Sequence, residues 1–275
     1  MSNQILHDTL KEALKISVPD VDEKRLTENI CKKVMSSFQR AASGFDVKAM
    51  LCGSVAKGTW LKKSKDIDMF ILFNEKVPRK EMENIGMEIG KKTIKNLMGS
   101  YEIAYSEHPY IRGLVAGHRV EIVPAYDTNP EKIKSSVDRT PHHVRYIESK
   151  MTENQIDEVR HLKKFSKGIG VYGSDLKNRG FSGYLCELLI IEFENFENLI
   201  KEASGWQPGK IIDMKNYYKD KNKIKKKFPQ DPLIFIDPVD KNRNVASVVS
   251  AEKFLHFVKK CQEFLENQKI EFFQE

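Results

Sequence analysis

The sequence is poor in cysteine and has no long hydrophobic run. Its four cysteines among 275 residues show no C-x-x-C spacing, which argues against a zinc site and for reduced thiols. No apolar run approaches the roughly 18–20 residues that a membrane span requires. The first four residues, Met1 to Gln4, lack the basic-then-apolar layout of a signal peptide. With no internal repeat and no low-complexity tract, the sequence predicts a cytoplasmic globular protein with no membrane partner.

What the sequence does contain is charge, with a basic excess. Charged residues make up 31% of the chain and hydrophobic residues 40%, which is typical of a folded protein. The 46 basic and 39 acidic residues give a net charge of +7, which favours a polyanionic partner without requiring one. The densest stretch, Lys219 to Lys227, holds six lysines and one aspartate. Charge alone leaves two interpretations open, a solvated loop and a surface that contacts phosphate.

Hydrophobic periodicity predicts an α/β N-terminal half and a mainly helical C-terminal half. Predicted helices cover residues 3–17, 22–43, 55–61, 79–98, 138–149, 153–168, 183–203 and 250–267. Predicted strands cover residues 47–52, 66–73, 101–105, 110–115, 118–123 and 233–236. Ser182, in a glycine-flanked turn, is a candidate N-cap. The pattern changes near residue 137, so we expect one domain at 1–137 and another at 138–275.

One stretch carries most of the chemical information. It reads Gly53-Ser54-Val55-Ala56-Lys57-Gly58-Thr59-Trp60, and Asp66-Ile67-Asp68 follows soon after. Gly53 lets the backbone approach a ligand closely, and Ser54 adds a hydroxyl group. The amides that begin the next helix would point to the same place, and this combination binds phosphate. Lys57, together with Lys63 or Lys65, would add positive charge.

The second half of this stretch predicts a metal site. Asp66 and Asp68 are two residues apart on a predicted strand, so their side chains project from the same face. Two carboxylates so close repel each other, and Mg²⁺ relieves the repulsion while it also takes phosphate oxygens. Two ions about 3.5–4 Å apart would clamp the attacking and leaving oxygens of an in-line displacement. Glu121, on a later predicted strand, is the candidate third acid. The sequence therefore predicts a nucleotidyl-transfer site in which these three acids are the catalytic and metal-binding residues.

The segment from Gly53 to Asp68 resembles the signature of the DNA polymerase β-type nucleotidyltransferases. Further segments resemble the archaeal-type (class I) CCA-adding tRNA nucleotidyltransferases, namely residues 137–143, 170–173, 179–189 and 237–246. The resemblance implies an α+β fold, in which a polymerase β-like head with a small mixed or antiparallel sheet and helices precedes a mainly helical central domain that completes the nucleotide pocket. It implies an enzyme that adds C, C and A to the 3′ end of tRNA from CTP and ATP, without a template and with two Mg²⁺ ions.

The resemblance also assigns roles to individual residues. Asp66, Asp68 and Glu121 match the acids that hold the catalytic metals, although the third acid is more usually aspartate, so Glu121 is a departure. The implied nucleotide-binding residues are Gly53, Ser54, Lys57, Thr140, His143, Lys163, Tyr172, Arg243 and Asn244, with Arg243 taking part in base selection. Without the family, the residues alone also allow structural interpretations. His142 and His143 could be an exposed pair, and Lys163 could be a solvated lysine on a helix. Tyr172 could cap the C-terminus of a helix, and Arg243 could pair with Asp237 or Asp240.

Several alternatives stay open at this point. Family members carry further C-terminal domains that grip the tRNA elbow, whereas this sequence stops at Glu275. We therefore expect the catalytic head and central domain only, and an oligomer or a separate C-terminal polypeptide is an open arrangement. A related activity is that of oligoadenylate or cyclic-nucleotide synthases, in which ATP itself is the acceptor. A third alternative is a catalytically weak fragment that binds tRNA without turnover, in which case its affinity would fall with salt.

Overall fold

The computed structural model describes residues 2–64 and 66–275, which form two compact units. One unit runs from residue 19 to residue 145, and the other combines residues 2–18 with residues 146–275. This division differs from the expected limits of 1–137 and 138–275. The physical reason is the first helix, whose buried Leu6 and Ala13 join the core of the C-terminal residues. The ring of His161 also contacts the carbonyl oxygen of Leu10 at 3.0 Å.

The unit formed by residues 19–145 is built on a mixed sheet. Within the described residues its five strands are β1 Val47–Cys52, β2 Asp66–Asn74, β3 Ser100–Tyr105, β4 Pro109–Val115 and β5 His118–Asp127, in the order β1-β2-β5-β4-β3. Strands β2 and β5 are parallel, and the other neighbours are antiparallel. The helices are α2 Val21–Ala41, α3 Gly53–Ala56, α4 Arg79–Lys95 and the first part of α5 Arg139–Lys150. The expected α+β class with a small mixed sheet is confirmed.

The two faces of this sheet have different surroundings. On β2, Ile67 and Ile71 are buried in a core shared with α2 and α4. Phe70, one residue out of phase, packs on the opposite face in a smaller cluster. Because side chains alternate along a strand, Asp66 and Asp68 share the face of Phe70. The acids therefore lie on the side of the sheet away from α2 and α4.

The β4–β5 hairpin fixes which residues lie opposite each other. Its loop is Ala116-Gly117, with φ angles of 47° and 79°. A two-residue hairpin turn of this kind requires positive φ. The resulting register places Arg112 of β4 opposite Glu121 of β5. A short turn thus brings a cation directly against the third predicted acid.

The second unit is mainly helical, as expected. Its elements are α1 Ser2–Ser17, the end of α5, α6 Glu153–Gly168, α7 Gly183–Phe193, α8 Phe196–Ala203, β6 Lys210–Ile212, α9 Lys221–Lys227, β7 Leu233–Phe235 and α10 Ala251–Glu266. Phe165 lies at the centre of an aromatic core, with its ring 5.5 Å from those of Phe196 and Phe264. Ser182 caps α7 by accepting the Leu185 N–H, as predicted. In the described part of the chain, no helix is both long and apolar enough to span a bilayer.

Some elements differ from their sequence predictions. The helix predicted at 183–203 is two helices, because Glu194 has a φ of 72° and Asn195 caps a new helix by accepting the Asn198 N–H. The helix predicted at 55–61 corresponds to α3, which begins earlier, at Gly53, and ends earlier, at Ala56. Strand β5 continues beyond the predicted residue 123 through Pro124. Pairing with β4 ends at Ile122, so the missing N–H of Pro124 interrupts no bond of that ladder.

Helix α4 approaches the sheet so closely that glycine is needed at position 86. A Cβ on Gly86 would lie 2.7 Å from ring atoms of Pro124. We expect Gly86→Ala to lower the free energy of unfolding by about 1 kcal/mol, since overpacking costs about 1–3 kcal/mol and the better helix propensity of alanine offsets about 1 kcal/mol. Urea unfolding measures this change. Gly205→Ala, where the nearest atom is 3.8 Å away, is the control and should not destabilise. An unchanged stability of Gly86→Ala would contradict the packing argument.

Candidate active site

The glycine-serine turn lies directly against one of the acids. Cys52, the last residue of β1, pairs with Asp68 on β2, and Gly53 follows with a φ of 67°. A Cβ on Gly53 would stand 1.8 Å from Oδ2 of Asp68. The turn then closes when the carbonyl of Ser54 accepts the N–H of Thr59 at 3.0 Å. Glycine is needed here both for its left-handed backbone and for the close approach of the carboxylate.

The lysines predicted near this turn are placed differently from one another. Lys57 directly follows α3, and its positive charge acts to lower the pKa of Asp68. The backbone N–H of Lys63 donates to Oε1 of Glu23 at 2.9 Å. Lys65 lies outside the described residues. Of the two lysines that the structure describes here, Lys57 is the one within electrostatic reach of Asp68.

The predicted acids meet on one face of the sheet. Asp66 and Asp68 lie at the start of β2, and the parallel register places Glu121 of β5 opposite Asp68. The same register places Arg119 opposite Asp66. The side chain of Asp66 is 46% exposed and that of Glu121 is 22% exposed. Solvent therefore reaches the acids from the open face of the sheet.

The surroundings of Asp68 disfavour its ionised form. Burial, together with the negative charges of Glu121 and Asp66, raises its pKa to about 6. Arg119 and Lys57 oppose this shift only in part. A raised carboxyl pKa from burial and like charges means that the ionised form lacks sufficient positive charge nearby. A further cation beside Asp68 would stabilise its ionised form.

Two arginines supply the positive charge that the site does have. Nε of Arg119 lies 2.9 Å from Oδ1 of Asp66 and 3.9 Å from Oε1 of Glu121. Nε of Arg112 lies 2.9 Å from the same oxygen of Glu121. The Arg112 guanidinium also donates to Glu102 at 3.2 Å and to the hydroxyl of Tyr110 at 2.7 Å. Arg112 is therefore held in a network across β3, β4 and β5, and it fixes the orientation of Glu121.

The acids fit a hard divalent cation by their chemistry. Within the described residues, no group of three or more His, Cys, Asp or Glu side chains is arranged to hold a metal ion, and arginines contact Asp66 and Glu121 instead. The donor set nevertheless consists of carboxylate oxygens, which Mg²⁺ and Ca²⁺ prefer. Burial, and then the charges of Glu121 and Asp66, raise the pKa of Asp68, so a cation would stabilise its ionised form.

In the helical unit, Lys163 is deeply buried. Its side chain is 2% exposed, and Nζ lies 3.1 Å from Oε1 of Glu187, which is 1% exposed. The structural interpretation of Lys163 as a solvated helix lysine is therefore wrong. A Cβ on Gly183 would stand 3.1 Å from the hydroxyl of Tyr172 and 3.6 Å from Nζ of Lys163. The polar ends of Lys163 and Tyr172, both predicted to bind nucleotide, thus meet at the start of α7.

Arg243 and Asn244 have different environments although they are adjacent. Nη1 of Arg243 pairs with Oδ2 of the fully buried Asp237 at 2.8 Å, and the hydroxyl of Tyr184 donates to the other oxygen at 3.2 Å. The Arg243 side chain is 31% exposed, so Asp237 holds it in a fixed and accessible position. The Asn244 side chain is fully used inside the fold: it accepts two N–H groups and donates to two oxygens, with partners Phe235, Ala246, Asp231 and Leu233. Its side chain thus ties the segment that contains Arg243 to strand β7.

The remaining predicted residues lie on α5. Thr140 is in the first turn of the helix, and its N–H donates to the carbonyl of Val137 at 3.1 Å. His143 is partly buried, whereas His142 is buried, and this burial lowers the pKa of His142. The interpretation of the two histidines as an exposed pair is therefore wrong. The carboxylate of Asp138 anchors this end of α5 by accepting two backbone N–H groups.

The sequence analysis anticipated the pairing of Arg243 with Asp237. It did not find three other neighbours of the candidate residues, namely Arg112, Arg119 and Glu187. The pairing of Arg112 with Glu121 follows from the two-residue loop at Ala116-Gly117, so a signal for it was present. The contact of Lys163 with Glu187 joins two helices. Nothing in the spacing of those two residues indicates it.

Comparison with known proteins shows which families and proteins the chain is similar to. A family model described as a nucleotidyltransferase domain matches residues 31–143, and a model described as the second domain of tRNA nucleotidyltransferase matches residues 157–274. Together, the two matches cover most of the chain, one after the other. A CCA-adding enzyme of Methanocaldococcus jannaschii is 45% identical to it over 278 residues, which cover 99% of this chain and 61% of the relative. A CCA-adding enzyme of Methanothermobacter thermautotrophicus is 39% identical over 264 residues, which cover 95% of this chain and 57% of the relative.

The chain spans about three fifths of the length of the curated relatives that it matches. Its fold is also similar to that of a cytoplasmic RNA terminal U-transferase, with a TM-score of 0.75 at 12% identity over 99% of both chains. That likeness concerns the fold alone. The fold and the family agree with a polymerase β-like nucleotidyltransferase head followed by a second, helical domain.

The first prediction from the site concerns Asp68. Because its folded pKa of about 6 lies above the ordinary value of 3.8, the native state binds more protons than the unfolded state between these pH values. The stability contribution of this group therefore falls as pH rises through that window. Without metal, we expect Asp68→Asn to raise the free energy of unfolding at pH 8 by on the order of 2 kcal/mol. The gain should disappear near pH 4 in urea unfolding.

The control for Asp68→Asn is Asp127→Asn at the other end of β5, where the aspartate is paired with Lys48 and Arg145. That substitution should not stabilise the protein at pH 8. A stability of Asp68→Asn equal to or below that of the original protein at pH 8 would refute the argument that the acids repel one another.

The second prediction concerns the buried Lys163–Glu187 pair. Lys163→Met leaves a buried carboxylate without this partner and should destabilise the protein by about 3–5 kcal/mol. Replacing both residues, as Lys163→Met with Glu187→Leu, should recover most of that loss. The neighbouring Lys164→Met, which removes a pair with the half-exposed Glu275, should cost less than about 1 kcal/mol. Urea unfolding of the three variants tests this order, and a double variant as unstable as the single one would contradict it.

Proposed function

We propose that this chain adds C, C and A to the 3′ end of tRNA from CTP and ATP, without a template and with release of pyrophosphate. The observation that carries the proposal is the pairing of Asp68 with Glu121 across parallel strands, beside Asp66 and the Gly53 turn. The choice of reaction within this chemistry is supported by the relatives, which are named CCA-adding enzymes. The proposed partners are the acceptor end of tRNA and the two nucleotides, and the proposed location is the cytoplasm.

We propose that Asp66, Asp68 and Glu121 hold two Mg²⁺ ions. Such ions supply a lower pKa for the attacking 3′-hydroxyl and neutralise charge on the leaving pyrophosphate. The protein keeps the three carboxylates on one face of a sheet whose register is fixed. Arg112 holds one oxygen of Glu121, so the acid keeps a single orientation despite its longer side chain. Lys57 adds positive charge beside Asp68, where the triphosphate would lie.

Other residues are proposed to bind the incoming nucleotide. Ser54, in the turn against Asp68, has a hydroxyl suited to a phosphate oxygen. Thr140 and His143, which match nucleotide-binding residues of the family, are proposed to bind the same nucleotide. Lys163 and Tyr172, whose polar ends meet at the start of α7, have the chemistry for the triphosphate and the sugar. Asn244 positions Arg243 for base selection.

The proposal is tested with a minihelix RNA made of an acceptor stem and T arm that lacks its terminal CCA. CTP alone should extend this RNA by two residues, and CTP with ATP should extend it by three, as resolved on a sequencing gel. Asp68→Ala should lower incorporation by about 10⁴-fold or more, because residues of one catalytic unit are not replaceable singly. Asp127→Ala, which removes an aspartate outside the cluster, is the control and should stay close to full activity.

Three outcomes would overturn the proposal. Retained incorporation in Asp68→Ala would refute the role of the acids. An oligomeric or cyclic product from ATP alone, with no extension of RNA, would assign the site to a synthase in which ATP is the acceptor. Tight binding of the minihelix with no extension under any metal or nucleotide condition would leave only a binding module.

A further inference from the structure

The lysine-rich stretch forms an exposed cationic surface. We call Lys219, Lys221, Lys223, Lys225 and Lys226, on and just before α9, the lysine surface; all of these residues are exposed. In the described part of the chain, none of them lies within 4.0 Å of a carboxylate oxygen. The single acid of the stretch, Asp220, is engaged in capping α9 by accepting the N–H of Asn222. Among the described residues, no ion pair therefore neutralises the positive charge of the surface.

Helix α9 is held in place by packing, against its own charge. Lys221 and Lys225 are four residues apart, as are Lys223 and Lys227, and like charges at this spacing destabilise a helix. A helix of seven residues is also too short to be stable in isolation. Ile224, which is 1% exposed, anchors it in a cluster of buried isoleucines with positions 234 and 236. The fold thus fixes a set of repelling cations on a rigid base, and a polyanion would relieve the repulsion.

The lysine surface is connected to the segment that carries Arg243. Nζ of Lys227 donates to the hydroxyl of Tyr218 at 3.1 Å and to Oδ1 of Asn242 at 2.6 Å. The hydroxyl of Tyr218 in turn donates to the carbonyl of Lys241 at 2.7 Å. Arg243, proposed for base selection, directly follows these residues. An RNA whose 3′ end reaches Arg243 would therefore have phosphates in the neighbourhood of α9.

The composition of the surface favours nucleic acid over protein as its partner. The exposed side chains of residues 219–227 are lysines, Asp220 and Asn222, and the single apolar residue of this stretch, Ile224, is buried inside the unit. Protein interfaces are depleted in lysine and contain aromatic or aliphatic side chains at their centre. Contacts with the phosphate backbone come from lysine and arginine and need no apolar component.

We propose that the lysine surface binds the phosphate backbone of the tRNA acceptor stem and orients the RNA toward Arg243. This inference rests on the proposed function, because it takes tRNA as the substrate. The lysines contribute affinity without sequence preference. They act through neutralisation of phosphates, so their contribution declines as salt is raised.

The test compares two variants that lose the same charge. The first replaces four lysines of the surface, as Lys221→Gln, Lys223→Gln, Lys225→Gln and Lys226→Gln. The control replaces four exposed lysines of α2 and α4, as Lys24→Gln, Lys32→Gln, Lys33→Gln and Lys80→Gln. The affinity for the minihelix is measured by fluorescence anisotropy at several salt concentrations. For the first variant, the slope of log K against log salt should become shallower by about 1 for each lysine that contacts a phosphate, and the control should keep the original slope.

The affinity for CTP and the thermal unfolding temperature are measured on the same variants. CTP affinity should be unchanged, and the first variant should unfold at the same or a higher temperature because lysine repulsion is removed. An original salt slope in the first variant would overturn the proposal, as would an equal change in the control or a loss of CTP affinity in place of RNA affinity. The minihelix extension assay separates the two claims. Normal extension with an unchanged slope refutes only the lysine surface, and a shallower slope without extension refutes only the proposed reaction.

Discussion

The crowding of carboxylates on one face of the sheet is the constraint on which the site depends. That crowding is imposed by the core on the other face, where Ile67, Ile71 and Ile122 are buried against α2 and α4. A shift of one residue between β2 and β5 would turn these side chains outward and the acids inward. The hydrophobic core therefore enforces the register of Asp68 with Glu121, although the acids repel each other.

The arginines explain how the sheet tolerates this arrangement. Arg112 contacts Glu121 from inside a network of three partners, whereas Arg119, which is 51% exposed, bridges Asp66 and Glu121 from the edge of the cluster. An arginine held by several bonds stays in one place, and an exposed one with a single close contact moves at little cost. Arg112 thus suits a permanent support for Glu121. Arg119 is suited to leave Asp66 when another cation or a phosphate approaches.

Local sequence patterns were sufficient for some features of the site. The alternation around Asp66 and Asp68 gave their common face, and the Ala116-Gly117 loop contained the information that pairs Arg112 with Glu121. The parallel register of β2 and β5 was not available in the same way, because α4, β3 and β4 lie between them in the chain. The break between α7 and α8 at Glu194 could not be predicted for another reason. Apolar residues continue on both sides of it, so hydrophobic periodicity alone predicts a single helix.

The buried pair of Lys163 and Glu187 shows why packing alone does not account for the helical unit. A buried ion pair is weak support for stability, since apolar residues of similar volume often hold two helices together as well or better. The ammonium of Lys163 and the hydroxyl of Tyr172 nevertheless both lie close to Gly183, the glycine that begins α7. Arg243 is held in a similar way, because it pairs with the buried Asp237 while part of its own side chain stays exposed. In both places a buried acid holds a cation in a fixed position, and binding sites depend on side chains that are held in place in this way.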